Sequence, residues 1–210
     1  MADFSDSLAP EQREFITNQP VFFVATSAAD GRINLSPKGY DVFRVLNDRT
    51  VAWLDLAGSG NETHAHLVAD GRITVMFCSF SGPANILRIY GTGRPVLPGD
   101  EDWADLAKNF ELLPGTRQIF EVVIDSVQTS CGFGVPMMEL KKERPTLVRY
   151  HAQTDPQKWL EKVASRTKSI DGLPVRASAV YFGDLAGKDT GDKKLPEDEG
   201  SDSGCSKPRR

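Results

Sequence analysis

The residues best suited to chemistry fall in one short run, Gly58-Ser59-Gly60-Asn61-Glu62-Thr63, which follows a strand-like segment and opens a helical one. Gly58 and Gly60 let the backbone turn tightly, Ser59 and Thr63 carry hydroxyls, and a helix beginning at Asn61 would turn its unpaired amides and positive dipole end toward an anion. Lys38, in the run Asn34-Leu35-Ser36-Pro37-Lys38-Gly39, is the natural counter-charge. The pattern reads as a phosphate pocket. Plainer roles exist for the same residues: asparagine is among the preferred helix caps, and a lysine after proline is commonly a solvated turn residue.

The remaining reactive side chains point away from several chemistries. His64 and His66 are two apart on the expected helix and face different directions, so a shared metal ion is not expected. Cys78, Cys131 and Cys205 are odd in number and widely spaced, which gives neither a disulfide framework nor a zinc-finger spacing. The default reading of Cys131 is an inert thiol. No dinucleotide-binding Gly-x-Gly-x-x-Gly follows a strand into a helix. No acid–base dyad appears, and no catalytic residue is named.

Positioning these groups falls to a chain of 210 residues, enough for one domain with appendages. Apolar content of 40% and charged content of 26% are ordinary for a globular protein, and apolar runs such as Val21 to Ala25 are strand-sized, so no segment is expected to span a membrane. The acidic start, Met1-Ala2-Asp3-Phe4-Ser5-Asp6, lacks the zones of a secretory signal and points to the cytoplasm. A net charge of −4 weighs against a general nucleic-acid binder and favours a small-molecule ligand.

A short helix is expected over residues 8–18. Strands are expected over 21–26 and 33–36, joined by the tight turn Asp30-Gly31, then over 42–46, 50–56, 72–80, 86–96 and 118–127. Helices are expected over 62–69 with Asn61 as cap and Gly71 as stop, over 100–110, over 145–152, and over 156–168 with Asp155 as cap and Pro156 in the first turn. Many strands joined mainly by turns predict a mainly β (α+β) fold: a six-stranded antiparallel split β-barrel with flanking helices. The divisions are an N-terminal arm (1–14), the barrel (15–130), a C-terminal helical extension packed on it (131–182) and a tail (183–210) too poor in apolar residues to order.

With these pieces in order, residues 15–174 resemble the pyridoxamine 5′-phosphate oxidase-like family of FMN-binding split barrels. The carriers are Asn34-Leu35-Ser36-Pro37-Lys38-Gly39, the strand Val51-Ala52-Trp53-Leu54-Asp55 leading to Gly58–Thr63, the run Gly71-Arg72-Ile73-Thr74-Val75-Met76-Phe77, and Ile86-Leu87-Arg88-Ile89-Tyr90-Gly91-Thr92-Gly93. The resemblance implies a homodimer with FMN at the subunit seam. It assigns Ser36 and Lys38 to the phosphate side of the hairpin, the backbone of Trp53, Leu54 and Asp55 to the isoalloxazine ring, and Ser59, Asn61 and Thr63 to the phosphate. Trp53's own ring has the bulk of a core residue. Arg88, in an apolar strand, needs a partner: a phosphate, a flavin carbonyl or an interface carboxylate.

Two departures from the family pattern matter. Oxidases of the family often carry Arg-Lys in the phosphate loop, where this chain has Gly60-Asn61-Glu62, and the C-terminal Arg-Leu-x-Pro element is replaced by Gly132-Phe133-Gly134-Val135-Pro136 and Glu143-Arg144-Pro145. Pyridoxamine phosphate is therefore not the expected substrate. A flavin brings its own hydride and electron chemistry. The expected function is an FMN-dependent oxidoreductase acting on a small organic molecule; the alternatives are a deazaflavin- or haem-binding relative and a flavin-holding protein without turnover.

Overall fold

The computed structural model describes residues 2–183, so nearly all of the tail expected from residue 183 onward lies outside the described residues. Eight strands form one antiparallel sheet: β1 (Asp3–Ser5), β2 (Phe22–Thr26), β3 (Asn34–Lys38), β4 (Phe43–Val45), β5 (Thr50–Leu56), β6 (Arg72–Cys78), β7 (Ile86–Val96) and β8 (Thr116–Ser130). The strand order is β3-β2-β6-β7-β8-β5-β4, with β1 added on β8. The sheet curls into a split barrel, as expected, but with eight strands and not six. One of the two extra strands has a physical reason: Asp3–Ser5 are three exposed residues defined as a strand only by pairing Asp3 with Thr129 at the far end of β8, and they carry no pattern of their own.

The ends of this order, β3 and β4, are joined by residues 39–42. That link carries the chain across the barrel's open seam, where Lys38 Nζ of β3 lies 3.1 Å from Asp55 Oδ1 of β5, while Leu54 N, donating to Val42 O at 2.9 Å, continues the β4–β5 ladder. Burial alternates along β2, as a strand with one face on the core requires, while β5 is buried on both faces. The core is a cluster of rings from five strands. Trp53 and Phe120 lie 4.9 Å apart, Phe22 and Phe43 also 4.9 Å, and Phe43 and Phe77 5.0 Å.

Gly91 marks the one irregularity that shapes the longest pair. The β7–β8 register shifts between Tyr90 and Gly91, and a Cβ at Gly91 would run into the Val123 carbonyl. Here glycine is required by the close approach of two backbones.

Helix α1 (Pro10–Thr17) precedes β2, and α2 (Glu62–Ala69) lies between β5 and β6 with Gly71 at φ +85° just past its end, a left-handed stop that suits glycine. Helix α3 is only Trp103–Ala107, shorter than the 100–110 expected. Its flanks are turns: Asp100 Oδ2 accepts from Leu97 N, and Asn109 and Phe110 close back on Leu106 and Ala107. Two more helices, α4 (Thr146–Gln153) and α5 (Pro156–Ala164), form the extension, α5 being capped by Asp155 Oδ1 accepting from Lys158 N at 2.9 Å. Their buried Trp159 and Val163 join Ala57 in a small second core, with Leu160, Ala177 and Tyr181 packed on it. Among the described residues no helix is long and apolar enough to cross a membrane.

Candidate functional site

The loop between β5 and α2 is anchored from below by a buried polar cluster. Asp55, 1% exposed, accepts from Lys38 Nζ at 3.1 Å, from Arg117 Nε at 2.6 Å and from Gln118 Nε2 at 2.9 Å. Burial alone would push the Asp55 carboxyl up. The charges of Arg117 and Lys38, with hydrogen bonds from Arg117 and Gln118, more than offset that and hold it well below the ordinary carboxylate range.

The cluster reaches the loop itself. Arg117 donates to Gly60 O at 2.8 Å, and Gln118 Nε2 donates also to Asn61 Oδ1 at 2.8 Å. Asn61 therefore spends its side-chain oxygen on Gln118 and makes no side-chain cap on α2, contrary to the role expected of it. The Gln118 carbonyl in turn accepts from His64 Nδ1 at 2.7 Å.

From above, residues 166–178 lie across the loop. A turn at 168–174 carries Asp171 onto Arg32, whose backbone N–H donates to Asp171 Oδ2 at 2.8 Å while the guanidinium pairs with Oδ1. Ile170 N donates to the Glu62 carboxylate at 3.1 Å, Arg166 donates to Gly58 O, and Arg176 N donates to His64 Nε2 at 3.1 Å. Glu62 is thus used by the extension. Between this segment and Asn61, Arg117 and Gln118 only a void of about 10 Å³ is left. The corner read from sequence as an anion pocket is covered by the chain's own extension.

A larger cleft opens beside it. About 550 Å³ is enclosed by Pro20 and Val21 before β2, Pro37 to Tyr40 at the end of β3, Phe80 and Ser81, and residues 138–144 of the segment after β8. Met138 N donates to Phe80 O at 2.8 Å and holds that segment in place. Tyr40 is non-glycine yet sits at φ +66°, and its hydroxyl donates to Arg144 O at 2.5 Å. A left-handed tyrosine is costly, on the order of 1–3 kcal/mol, and persists only where the surroundings impose it. Burial pushes its phenol pKa up, and Glu143 adds to the effect.

The structure brings together Lys38, Asp55 and Asn61 in one network. Ser36 and Thr63 stand beside it on Asn34, which accepts from Ser36 Oγ and donates to Thr63 Oγ1, each at 3.2 Å. Ser59 is exposed at the loop's tip. Trp53 and Leu54 are buried core residues whose backbone is engaged with β8, β4 and Val42, and the indole N–H of Trp53 has no partner among the described residues. Arg88 stands apart: half-buried on β7, its guanidinium reaches only the Ser130 hydroxyl, at 3.4 Å, among the described residues. Sequence reasoning missed Arg117, Gln118 and residues 166–176. An arginine and a glutamine entering a buried strand just before Ile119 and Phe120 were the available signal, because such groups must find partners.

The fold, a curled antiparallel sheet split along one seam with a polar cluster beneath a strand-to-helix loop, defines the split-barrel class. The chain belongs to the pyridoxamine 5′-phosphate oxidase family: the model of that family matches residues 8–131. The Aspergillus flavus pyridoxamine 5′-phosphate oxidase family protein ustO is 37% identical over 199 residues, covering 86% of this chain and 80% of that protein. Among solved structures, Group A Streptococcus HupZ is 21% identical with TM-score 0.46, covering 57% of this chain and 91% of its own. A putative pyridoxamine 5′-phosphate oxidase from Lactobacillus delbrueckii is 16% identical with TM-score 0.47, covering 59% and 94%. These two superpositions are loose, and membership rests on the family model and the fungal relative.

Proposed function

We propose that this chain is an FMN-binding oxidoreductase, working as a homodimer, that passes a hydride or electrons between the flavin and a small organic substrate. Family membership supports the cofactor class. The single observation that carries the reading is the position of Lys38, which is ion-paired at the base of the loop and also lines the 550 Å³ cleft. A cation thus stands between a donor-rich loop and a largely apolar wall large enough for a planar ring.

The residues fit the group chemically. Ser36, Lys38, Ser59, Asn61 and Thr63 would hold the phosphate once residues 166–178, which leave only about 10 Å³ beside Asn61, are displaced from the loop, with Asp55 orienting the Lys38 ammonium. Pro37, Tyr40, Phe80 and Met138 would border the ring and exclude water from it. The ring is assigned to this cleft because the Trp53–Asp55 backbone is already engaged within the sheet. Bound flavin supplies hydride and electron transfer; the protein binds, orients and shields. The second copy is suggested by apolar side chains left exposed at the sheet edge, Ile33 and Leu35, and along the cleft, Met138 and Leu140.

The test is titration of the flavin-free protein with FMN, followed by the flavin's absorbance and fluorescence, with the oligomeric state read by light scattering. Saturable uptake by a dimer is expected, and Lys38→Ala is expected to weaken it by about tenfold, the effect of roughly 1.4 kcal/mol. Lys38→Arg should retain most of the affinity. A protein that takes up no flavin, or shows a haem Soret band as isolated, overturns the reading; tightly held flavin that no nicotinamide or other donor reduces leaves the cofactor and removes the turnover.

A further inference from the structure

The chain has three histidines, and all three are buried beside the seam between barrel and extension: His64 and His66 on α2, and His151 on α4. Two of them bridge it. His64 donates through Nδ1 to Gln118 Oε1 and accepts through Nε2 from Arg176 N in the covering segment. His151, in the extension, donates through Nε2 to Ala57 O at 2.8 Å and accepts through Nδ1 from the Trp159 indole at 3.0 Å. Ala57 and His64 flank the Gly58–Thr63 loop on either side. We infer that residues 145–182 are an acid-released cover over this loop, latched at its two ends by neutral His151 and neutral His64.

The reason lies in donor and acceptor arithmetic. A neutral imidazole offers one donor and one acceptor, and each of these rings spends both. Imidazolium has two donors, so a proton on His64 would set an N–H against the Arg176 N–H, and a proton on His151 would set one against the Trp159 N–H. At His64 the bond lost is the one across the seam, to Arg176 N; at His151 it is the Trp159 bond that ties α4 to α5 inside the cover, while the bond to Ala57 O is kept, and each ring gains a buried charge facing a donor. His64 is faced by Arg176 and Arg117 as well as Asp55, and His151 by Lys162 and Arg117. Burial first, with these cations adding to it, depresses both rings below the ordinary histidine range, against the hydrogen bonds to Gln118 at His64 and to the Ala57 carbonyl at His151, which act the other way.

The sign follows. A histidine depressed in the closed form binds its proton more readily in the open form, so closure is stable above about pH 6.5 and weakens as pH falls below it. The cover's other ties are Asp171 on Arg32, Asp100 on Arg176 and Glu62 on Ile170 N; hydrogen bonds from Arg32 and Arg176 hold the Asp171 and Asp100 carboxyls below the ordinary range. Asp55 stays charged lower still. His66 plays a different part: it meets the Thr26 hydroxyl through Nδ1, its Nε2 has no partner among the described residues, and Asp171 is an acidic neighbour. Charging it breaks no bond to the cover.

The inference goes beyond the flavin reading and needs no ligand in the loop. Hydrogen exchange of the full-length, flavin-free protein, corrected for the intrinsic pH dependence of exchange, tests it directly. Between pH 7.5 and pH 5, amides in residues 146–164 are expected to lose at least tenfold protection while those in β7 and β8 keep theirs. In the His64→Gln, His151→Gln double variant, whose amides donate and accept without titrating, the response should flatten; in His66→Gln it should persist. Protection that is unchanged to pH 5, that falls together in extension and barrel, or that becomes pH-independent in His66→Gln overturns the inference. The wild-type comparison stands even if a variant fails to fold.

Discussion

Asp55→Ala is expected to destabilise the barrel by about 3–5 kcal/mol, because it leaves the buried Arg117 guanidinium without its counter-charge and Gln118 without one acceptor. For a chain of this size that corresponds to a fall in thermal midpoint of roughly 10 °C. The loss belongs to the broken pair, and the pair itself need not be strongly stabilising. Replacing both partners with apolar residues, as in Asp55→Leu with Arg117→Met, should therefore recover much of it. Lys38 contributes less, since it is partly exposed and its pairing is screened. The pH dependence has a definite direction: a carboxyl depressed by folding stabilises above its unfolded value near 3.9 and loses that contribution as pH falls through the folded one. The gap between wild type and Asp55→Asn should hold from pH 7 to about pH 4 and close below it. A midpoint drop under about 2 °C, or a double variant as unstable as the single one, would show that the cluster carries no such burden.

The contrast between what was legible in the sequence and what was not follows from which forces are local. Helix α2 over residues 62–69, its glycine stop and the Asp155 cap of α5 are written in short-range chemistry, so pattern and structure agree there. β5 and β7 carry enough apolar residues to announce themselves. Strand β1 does not, because its pairing with β8 is a property of the partner. The site divides in the same way. A glycine-rich turn opening a helix is visible in any sequence, and so is a nearby lysine. That Asp55 would claim Lys38, that Gln118 would claim Asn61, and that residues 166–178 would fold back over the turn depend on partners 17 to 112 positions away. Loop closure over such spans is weakly encoded by spacing, and composition holds no trace of it. The histidines illustrate the point: their spacing two apart leads only to the expectation of no shared metal ion, while the role of His64 rests on Gln118 and Arg176, neither of which is near it in the chain.

Trp159→Ala is expected to remove about 3–5 kcal/mol from the extension, the usual cost of deleting a buried tryptophan. The effect should be local. Trp159 is 1% exposed within a core of only a few residues, and Ala57 is the one member of that core that the barrel supplies. A cluster so small has no reserve to absorb the cavity, and the variant also leaves His151 Nδ1 without its donor. The consequence at neutral pH is the state that acid is expected to produce in the wild type: residues 146–164 lose exchange protection and helicity while β7 and β8 keep theirs. Trp159→Phe separates packing from bonding, since it keeps most of the apolar volume and deletes only the N–H, with an expected loss of about 1–2 kcal/mol. If ligand reaches the Gly58–Thr63 loop only when the cover lifts, Trp159→Ala should also bind FMN with a faster association rate than wild type at pH 7.5 and with no further acceleration at pH 5. A single cooperative transition in which extension and barrel unfold together would show instead that the seam is an ordinary part of one core, and that the buried histidines are there to hold it shut.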